Sequence, residues 1–234
     1  MSLNISPIAN QKINEAILIT GAARSGTTIV GKLIHSFTNV EYAFEPPMLF
    51  SLFSLIHKIP EHDWKMLFET YLYEDFFLNA IAGRSINCNL SDDSSIYNVK
   101  DRKEIEQRLF NSTGKIEAEK IGREKIMACK IPDVVPFLPL LVKYYPDLKI
   151  VIMKRNAAGT INSLMNKKWF AKDRQEKNLI WPFKVLNGQH IPFWVKEEDC
   201  GRWIEMSEID RCAYYYIRMN EALERIPNKI IIKY

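Results

Sequence analysis

An eight-residue segment at residues 21–28 constrains the fold of this chain more than any other feature. Its sequence is Gly-Ala-Ala-Arg-Ser-Gly-Thr-Thr; it follows an apolar run at 16–20, and apolar positions recur with helical spacing over 28–37. The pattern predicts a buried strand, a tight glycine loop and a helix in direct succession. Backbone N–H groups of such a loop and the helix N-terminus converge on one point and can bind an anion. An ordinary glycine turn between a strand and a helix is the simpler alternative.

The loop lacks a residue that a nucleoside-triphosphate loop requires. In such loops the second glycine is followed by Lys and then by Ser or Thr, whereas Gly26 is followed here by Thr27 and Thr28. Arg24 is the cation within the loop instead. The apolar run at 149–153 continues into a Lys-Arg pair rather than an Asp that could bind magnesium. These features favour transfer of a sulfuryl group, which carries less charge than a phosphoryl group, over a small-molecule kinase, which remains the alternative.

Apolar runs alternate with helical patterns along the rest of the chain. Further strands are predicted at 40–44, 125–129, 149–153 and 229–233, and helices at 48–82, 101–112, 136–145, 157–168 and 205–226. This alternation is typical of an α/β fold. We therefore expect a three-layer arrangement, in which flanking helices cover a central, mostly parallel sheet that carries a P-loop-type phosphate-binding loop.

Two segments need separate comment. Residues 169–202 are rich in Trp, Pro, Asn and Gly, and we expect them to form a long irregular loop on the substrate side. Residues 1–234 are predicted to form one domain. Because a parallel strand at 229–233 would need cover on both faces, we also expect that a C-terminal portion of that domain is missing from the sequence.

A second candidate anion site follows the strand at 149–153. Arg155 stands at the carboxyl end of this strand, and Ser163 lies eight residues further on, in the predicted helix. Ligands of open α/β sheets bind at the carboxyl ends of the strands, where a guanidinium and a hydroxyl could share one phosphate. A surface ion pair for Arg155 and a solvated position for Ser163 fit the spacing equally well.

The two motifs together resemble the nucleotide-binding signatures of the PAPS-dependent sulfotransferase family, in which PAPS (3′-phosphoadenosine-5′-phosphosulfate) is the sulfuryl donor. The resemblance covers residues 16–47 and 126–168, together with the Lys-Tyr pair that ends the last strand. It implies that Arg155 and Ser163 bind the 3′-phosphate. It assigns the 5′-phosphosulfate end of the donor to five residues of the first loop: Arg24, Ser25, Gly26, Thr27 and Thr28.

The resemblance also implies catalytic residues. Glu45 stands in Phe-Glu-Pro-Pro, similar to a Phe-Glu-Pro segment of carbohydrate sulfotransferases, and is the candidate base; a solvated loop carboxylate is the alternative. Lys130 resembles the lysine of the Lys-Thr-His-x-Pro segment of cytosolic sulfotransferases, or of the Lys-x-Pro segment of other branches. The resemblance implies that Lys130 reaches the transferring sulfuryl group and that Arg24 is a second catalytic cation; a solvated lysine at a strand end is the alternative for Lys130. Pro132 occupies the position of the catalytic His of the cytosolic branch. This departure favours a carboxylate base. The implied acceptor is a hydroxyl, such as that of a carbohydrate or glycolipid, and the product is PAP (3′-phosphoadenosine-5′-phosphate).

Composition excludes several other classes. A net charge of +4 suits an anionic small ligand but is too small for a nucleic-acid-binding stripe. No basic segment followed by a long apolar run starts the chain, and no apolar run approaches the roughly 20 residues of a membrane span. The four cysteines have no metal-ligand or disulfide-framework spacing. We therefore expect a cytoplasmic protein without a metal. A nucleotide-binding relative without catalytic turnover is the remaining alternative.

Overall fold

The computed structural model describes residues 6–92, 94–111, 113–172, 182–227 and 229–234. Its centre is a five-stranded sheet in the order β2–β3–β1–β4–β7, with every neighbouring pair parallel. The strands of this sheet are β1 (Ile17–Gly21), β2 (Val40–Phe44), β3 (Ile126–Lys130), β4 (Lys149–Lys154) and β7 (Lys229–Lys233). The predicted α/β fold with a parallel sheet is therefore confirmed. Two more strands, β5 (Phe183–Leu186) and β6 (Gln189–Pro192), form a separate antiparallel hairpin.

The helices occupy most of the chain between the strands. The α-helices are α1 (Pro7–Asn14), α2 (Thr27–His35), α3 (Pro47–Leu55), α4 (Glu61–Glu69), α5 (Asn79–Ile81), α6 (Arg102–Phe110), α7 (Lys115–Arg123), α8 (Leu138–Tyr144), α9 (Ala157–Asn166), α10 (Cys200–Glu205) and α11 (Glu208–Asn220). A π-helix spans Thr70–Leu78, and single 3₁₀ turns lie at Ile96–Asn98, Val135–Phe137, Glu197–Asp199 and Leu223–Arg225.

The strand order explains the three layers. The connection from β1 to β2 runs across the sheet in one direction, whereas those from β3 to β4 and from β4 to β7 run in the other. Because such crossovers are right-handed, connections of opposite direction place their helices on opposite faces. Helix α2 therefore covers one face of the sheet, and α8, α9 and α11 cover the other.

The main hydrophobic core is aromatic. Trp64, Trp194, Trp203 and Tyr215 are almost completely buried, and the rings of Trp194 and Trp203 pack edge to face with centroids 5.3 Å apart. Burial of a large apolar side chain contributes about 1.5–3 kcal/mol. This core therefore fixes α10 and α11 against the sheet, near the carboxyl ends of β1 and β4.

The predicted helix over 48–82 is wrong as a single element. The chain breaks at 56–60, because Pro60 has no amide hydrogen for a continuing helix, and the π-helix at Thr70–Leu78 then widens the turn. Helices α1 and α7 were not predicted from the sequence.

The predicted irregular loop at 169–202 is also wrong for the residues that the structure describes there. The β5–β6 hairpin lies within it, joined by Asn187 and Gly188, both with positive φ. Asn-Gly is the preferred pair for a two-residue hairpin turn, so the sequence did carry this signal. Helix α10 begins at Cys200, while residues 173–181 lie outside the described part of the chain.

Candidate active site

The glycine loop joins β1 to α2 in a conformation that its two glycines make possible. Gly21 has φ 143°, and a Cβ there would lie 2.4 Å from the carbonyl oxygen of Met153 on the neighbouring strand. Gly26 has φ 95° and precedes the first turn of α2 without any side-chain cap. The first amides of α2 therefore lack a side-chain acceptor, and they stand where an anion would bind.

The remaining loop residues divide into internal supports and exposed groups. Ser25 and Thr27 are buried, and the Ser25 hydroxyl donates to the carbonyl oxygen of Ala22. Thr28 is half-buried in the first turn of α2, whereas Arg24 is exposed and has a left-handed backbone with φ 67°. Ser25 therefore supports the turn, and Arg24 is the loop cation that can reach outward.

The structure brings the two sequence motifs into direct contact. Arg24 Nε donates to the hydroxyl oxygen of Ser163 over 3.2 Å, and the Arg155 guanidinium donates to the Arg24 carbonyl oxygen over 3.3 Å. Ser163 reaches this point because Asn156 caps the N-terminus of α9 by accepting from the Gly159 amide at 2.7 Å. The side chains of Arg24, Arg155 and Ser163 come from two distant segments of the chain and thus lie together at one edge of the sheet.

Arg155 also contacts Gly159, Tyr216 and Tyr234. A Cβ at Gly159 would lie 2.8 Å from Arg155 Nε, so glycine at this position leaves room for the guanidinium. The Arg155 guanidinium carbon lies 5.6 Å from the ring centroid of Tyr234, and the Tyr216 hydroxyl donates to the Arg155 carbonyl oxygen. Sequence reasoning gave no role to Gly159 or Tyr216, and it included Tyr234 in the family resemblance without assigning it a role in the site.

Glu45 and Lys130 form an ion pair across the ends of β2 and β3. Their backbones are already joined, because the Glu45 amide donates to the Lys130 carbonyl oxygen over 2.8 Å. Glu45 has φ 45°, which turns the chain out of the strand and directs its carboxylate to Lys130 Nζ. The Lys130 side chain is only 3% exposed, whereas that of Glu45 is 35% exposed. The carboxylate therefore neutralises a buried cation and still has one side open to solvent.

Asp133 and Tyr215 connect this region to the glycine loop. The Tyr215 hydroxyl donates to an oxygen of Asp133 and accepts from the Ala23 amide, while the Asp133 amide donates to the Gly21 carbonyl oxygen over 3.3 Å. Desolvation raises the pKa of Asp133 to about 6, and the Glu45 carboxylate adds to this effect. Among the three consecutive tyrosines of α11 the sequence predicts one buried ring, but it does not show that this ring supports the loop.

A cavity of about 410 Å³ lies along the outer edge of β2. Its wall includes Phe44 and Pro46, the two neighbours of Glu45, and the π-helix with the segment after α5 forms the opposite side. The lining residues are His35, Glu41, Tyr42, Ala43, Phe44, Pro46, Pro47, Tyr71, Phe76, Ala80, Arg84, Ser85, Ile86, Asn87, Ser94 and Ile96.

A buried charge cluster lies at one end of this cavity. Glu41 accepts two hydrogen bonds of 2.7 Å from the Arg108 guanidinium and one of 2.8 Å from Lys125. Glu104 also contacts Arg108, and Lys100 donates to the carbonyl oxygens of Phe37 and Val40. The three cations of the cluster outnumber its two carboxylates, so the charge of Glu41, which lines the cavity, is neutralised.

The described residues contain neither a membrane-spanning helix nor a metal-binding cluster. No helix there is long and apolar enough to cross a bilayer. No group of three or more His, Cys, Asp or Glu side chains in the same residues is arranged to hold a metal ion.

Comparison with known proteins identifies a family and shows likeness to solved structures. The family model described as "Sulfotransferase family" matches residues 16–231. Sulfotransferase STF9 from Mycobacterium avium is 14% identical, with a TM-score of 0.41; the match covers 94% of this chain and 59% of that one. The chain thus spans about three fifths of the length of that protein. Comparison with proteins of curated function found no match.

Proposed function

Since the chain belongs to the sulfotransferase family, we propose that it transfers the sulfuryl group of PAPS to an acceptor hydroxyl and releases PAP. The observation that carries this proposal is the contact between Arg24 of the glycine loop and Ser163 of the second motif. A donor with phosphates at its 5′ and 3′ positions needs two neighbouring anion sites. The adjacent motifs supply them.

Each end of the donor has its own residues in this proposal. The uncapped first turn of α2 and the Arg24 side chain bind the 5′-phosphosulfate, through amides and a cation that need little rearrangement. Arg155 and Ser163 bind the 3′-phosphate, with a guanidinium that Gly159 and Tyr234 hold in place. Thr27 and Thr28 begin α2 and complete the first site.

The ion pair of Glu45 and Lys130 supplies the transfer chemistry. The acceptor oxygen forms a bond to sulfur as the bond from sulfur to the 5′-phosphate oxygen breaks, and Glu45 takes the proton of the acceptor hydroxyl. Lys130 stabilises the negative charge that grows on the departing oxygen, together with Arg24. The partly exposed carboxylate of Glu45 suits a group that must meet an acceptor, and the buried ammonium of Lys130 suits an electrostatic role.

A small-molecule kinase is less well supported. The loop has Thr27 where a kinase needs Lys, and β4 ends in Lys154 and Arg155 rather than in an acidic residue that could bind magnesium. The second anion site also has no use in binding ATP, because ATP carries no phosphate at the 3′ position of its ribose.

Ligand-induced stabilisation tests the donor assignment. The melting temperature should rise most with PAP, less with AMP and least with ATP, because at equal concentration the ligand that binds the folded state most tightly stabilises it most. PAP differs from AMP only by the 3′-phosphate. Equal shifts with PAP and AMP, or a larger shift with ATP, would contradict the proposal.

A further inference from the structure

The cavity along β2 lies beside the proposed reaction centre but outside both nucleotide motifs. Phe44 belongs to both the cavity and the reaction centre. It lines the cavity, and its ring centroid lies 4.5 Å from Lys130 Nζ. Pro46, on the other side of Glu45, also lines the cavity. A molecule in the cavity would therefore adjoin the candidate base.

The edge of β2 offers unpaired backbone groups to this cavity. Asn39 and Glu45 direct their backbone groups at β3, since the Asn39 carbonyl accepts from Ile126 and the Glu45 amide donates to Lys130. Backbone groups of successive strand residues point in alternate directions. Those of Tyr42 and Phe44 therefore point outward. On that side no strand of the described residues lies beside β2, and no described residue forms a hydrogen bond with these backbone groups.

Side chains of the opposite wall are also open to a ligand. Arg84 is exposed, and neither its guanidinium nor the hydroxyls of Ser85 and Tyr71 has a hydrogen-bond partner among the described residues. Tyr71 and Phe76 add aromatic surface to the same wall. Many donors and acceptors within about 410 Å³ suit a ligand with several hydroxyl groups, and a free guanidinium suits a carboxylate.

The charges around the cavity favour an anion. Glu41 is the carboxylate in the wall, and it is neutralised by Arg108 and Lys125. Two acidic residues lie close by: Asp92 accepts from Ser94 of the wall, and Asp75 is exposed beside Tyr71. Neither contacts Arg84, which is left as the unpaired charge of the wall in the part of the chain that is described.

We infer that this cavity is the acceptor subsite and that it takes a sugar bearing a carboxylate, of the uronic acid class. Arg84 binds the carboxylate, the outward backbone groups of Tyr42 and Phe44 bind ring hydroxyls, and one hydroxyl is left beside Glu45. This inference rests on the proposed function, since it names the acceptor class for the same site.

Two matched glycosides test the inference. Binding of p-nitrophenyl β-D-glucuronide and of p-nitrophenyl β-D-glucoside to the full PAP-saturated chain would be measured by calorimetry or by NMR titration. We expect the glucuronide to bind about tenfold more tightly or better, because a charge-assisted hydrogen bond to Arg84 is available to it alone. Arg84→Gln should remove this difference.

Arg102→Gln is the matched control, since Arg102 is an exposed arginine on α6 whose partner is Glu106 of the same helix; it should leave the preference intact. Equal binding of the two glycosides, binding of neither, or a preference that survives Arg84→Gln would overturn the inference. If PAP still stabilises the chain more than AMP in that case, the acceptor assignment fails alone. If PAP gives no such advantage, the proposed function fails with it.

Discussion

Tyr215 donates its phenolic hydrogen to the carboxylate of Asp133 and accepts the amide hydrogen of Ala23. One hydroxyl on α11 thereby joins the glycine loop to the segment that follows Lys130. The Tyr215 ring packs against Trp194 and Phe170, with centroids 5.0 and 5.2 Å away. The position of the loop therefore depends on the aromatic core, even though that core lies outside the nucleotide motifs.

Tyr215→Phe tests this dependence. The variant keeps the ring and its packing but leaves Asp133 and the Ala23 amide without their partner, so the free energy of unfolding should fall by about 1–3 kcal/mol. PAP affinity should fall as well, because the loop is less firmly placed. Urea unfolding and PAP titration measure the two effects.

Tyr214→Phe is the control for that variant. The Tyr214 hydroxyl also makes two hydrogen bonds, to the Asp199 carboxylate and from the Lys196 amide, but neither partner belongs to the loop. It should lower stability and leave PAP affinity unchanged. If Tyr215→Phe likewise leaves PAP affinity unchanged, the hydroxyl supports the fold alone and not the binding loop.

The same pair predicts a pH dependence. Desolvation raises the pKa of Asp133 from 3.8 to about 6, so between these values the folded state binds more protons than the unfolded state. Stability from this group therefore falls as pH rises from about 4 to 6. His35 acts in the opposite direction, because burial lowers its pKa to about 4 and its contribution rises with pH from about 4 to 6.5.

Asp133→Asn separates the two contributions. The Asn side-chain oxygen can still accept from Tyr215, but it does not titrate. Relative to wild type, the variant should therefore gain about 1–3 kcal/mol in unfolding free energy between pH 4 and 6.5. Denaturant unfolding of both proteins across this range measures the difference, and a constant difference would show that Asp133 has an ordinary pKa.

The sequence predicted the sheet well because its strands are short apolar runs. Two of its five strands, β2 and β7, were expected at their observed limits, and the other three were expected within one residue of theirs. The hairpin at β5 and β6 was missed, although Asn187 and Gly188 form a strong turn signal. Strand β5 is mostly exposed and mixed in character, so hydrophobic periodicity alone did not identify the hairpin.

The candidate site was predictable to the extent that it lies at strand ends. Arg24 and Ser163 are 139 positions apart, yet each follows a central parallel strand, and such strand ends meet at one edge. No comparable rule relates Asp133 to Tyr215, which lies on a helix 82 positions away. Arg84 could not be assigned either, because its place in a cavity wall depends on the path of the chain after the π-helix.

Arg155→Ala tests the second anion site. Removal of the guanidinium should lower PAP affinity about 10- to 100-fold, since one charge-assisted interaction with the 3′-phosphate is lost, while AMP affinity should change little. The difference between the PAP and AMP melting shifts should largely disappear. Lys154→Ala removes a neighbouring cation of the same strand and should keep the difference. An equal loss of PAP and AMP affinity in Arg155→Ala would instead place this residue at the 5′ end of the nucleotide.

Glu45→Gln tests the proposed base. The amide oxygen can still accept from Lys130, so PAP affinity should be preserved. Because the variant cannot take a proton, release of PAP from PAPS in the presence of p-nitrophenyl β-D-glucuronide should slow about 10²- to 10⁴-fold. Stability should fall too, because Lys130 is 3% exposed and loses its counter-charge. Glu197→Gln, which changes an exposed carboxylate paired with Lys184, should leave the rate unchanged. A Glu45→Gln protein that binds PAP and turns over at the wild-type rate would show that another group removes the acceptor proton. Asp133 would then be the next carboxylate to test, because its desolvated carboxyl group is influenced by the charges of both Glu45 and Lys130.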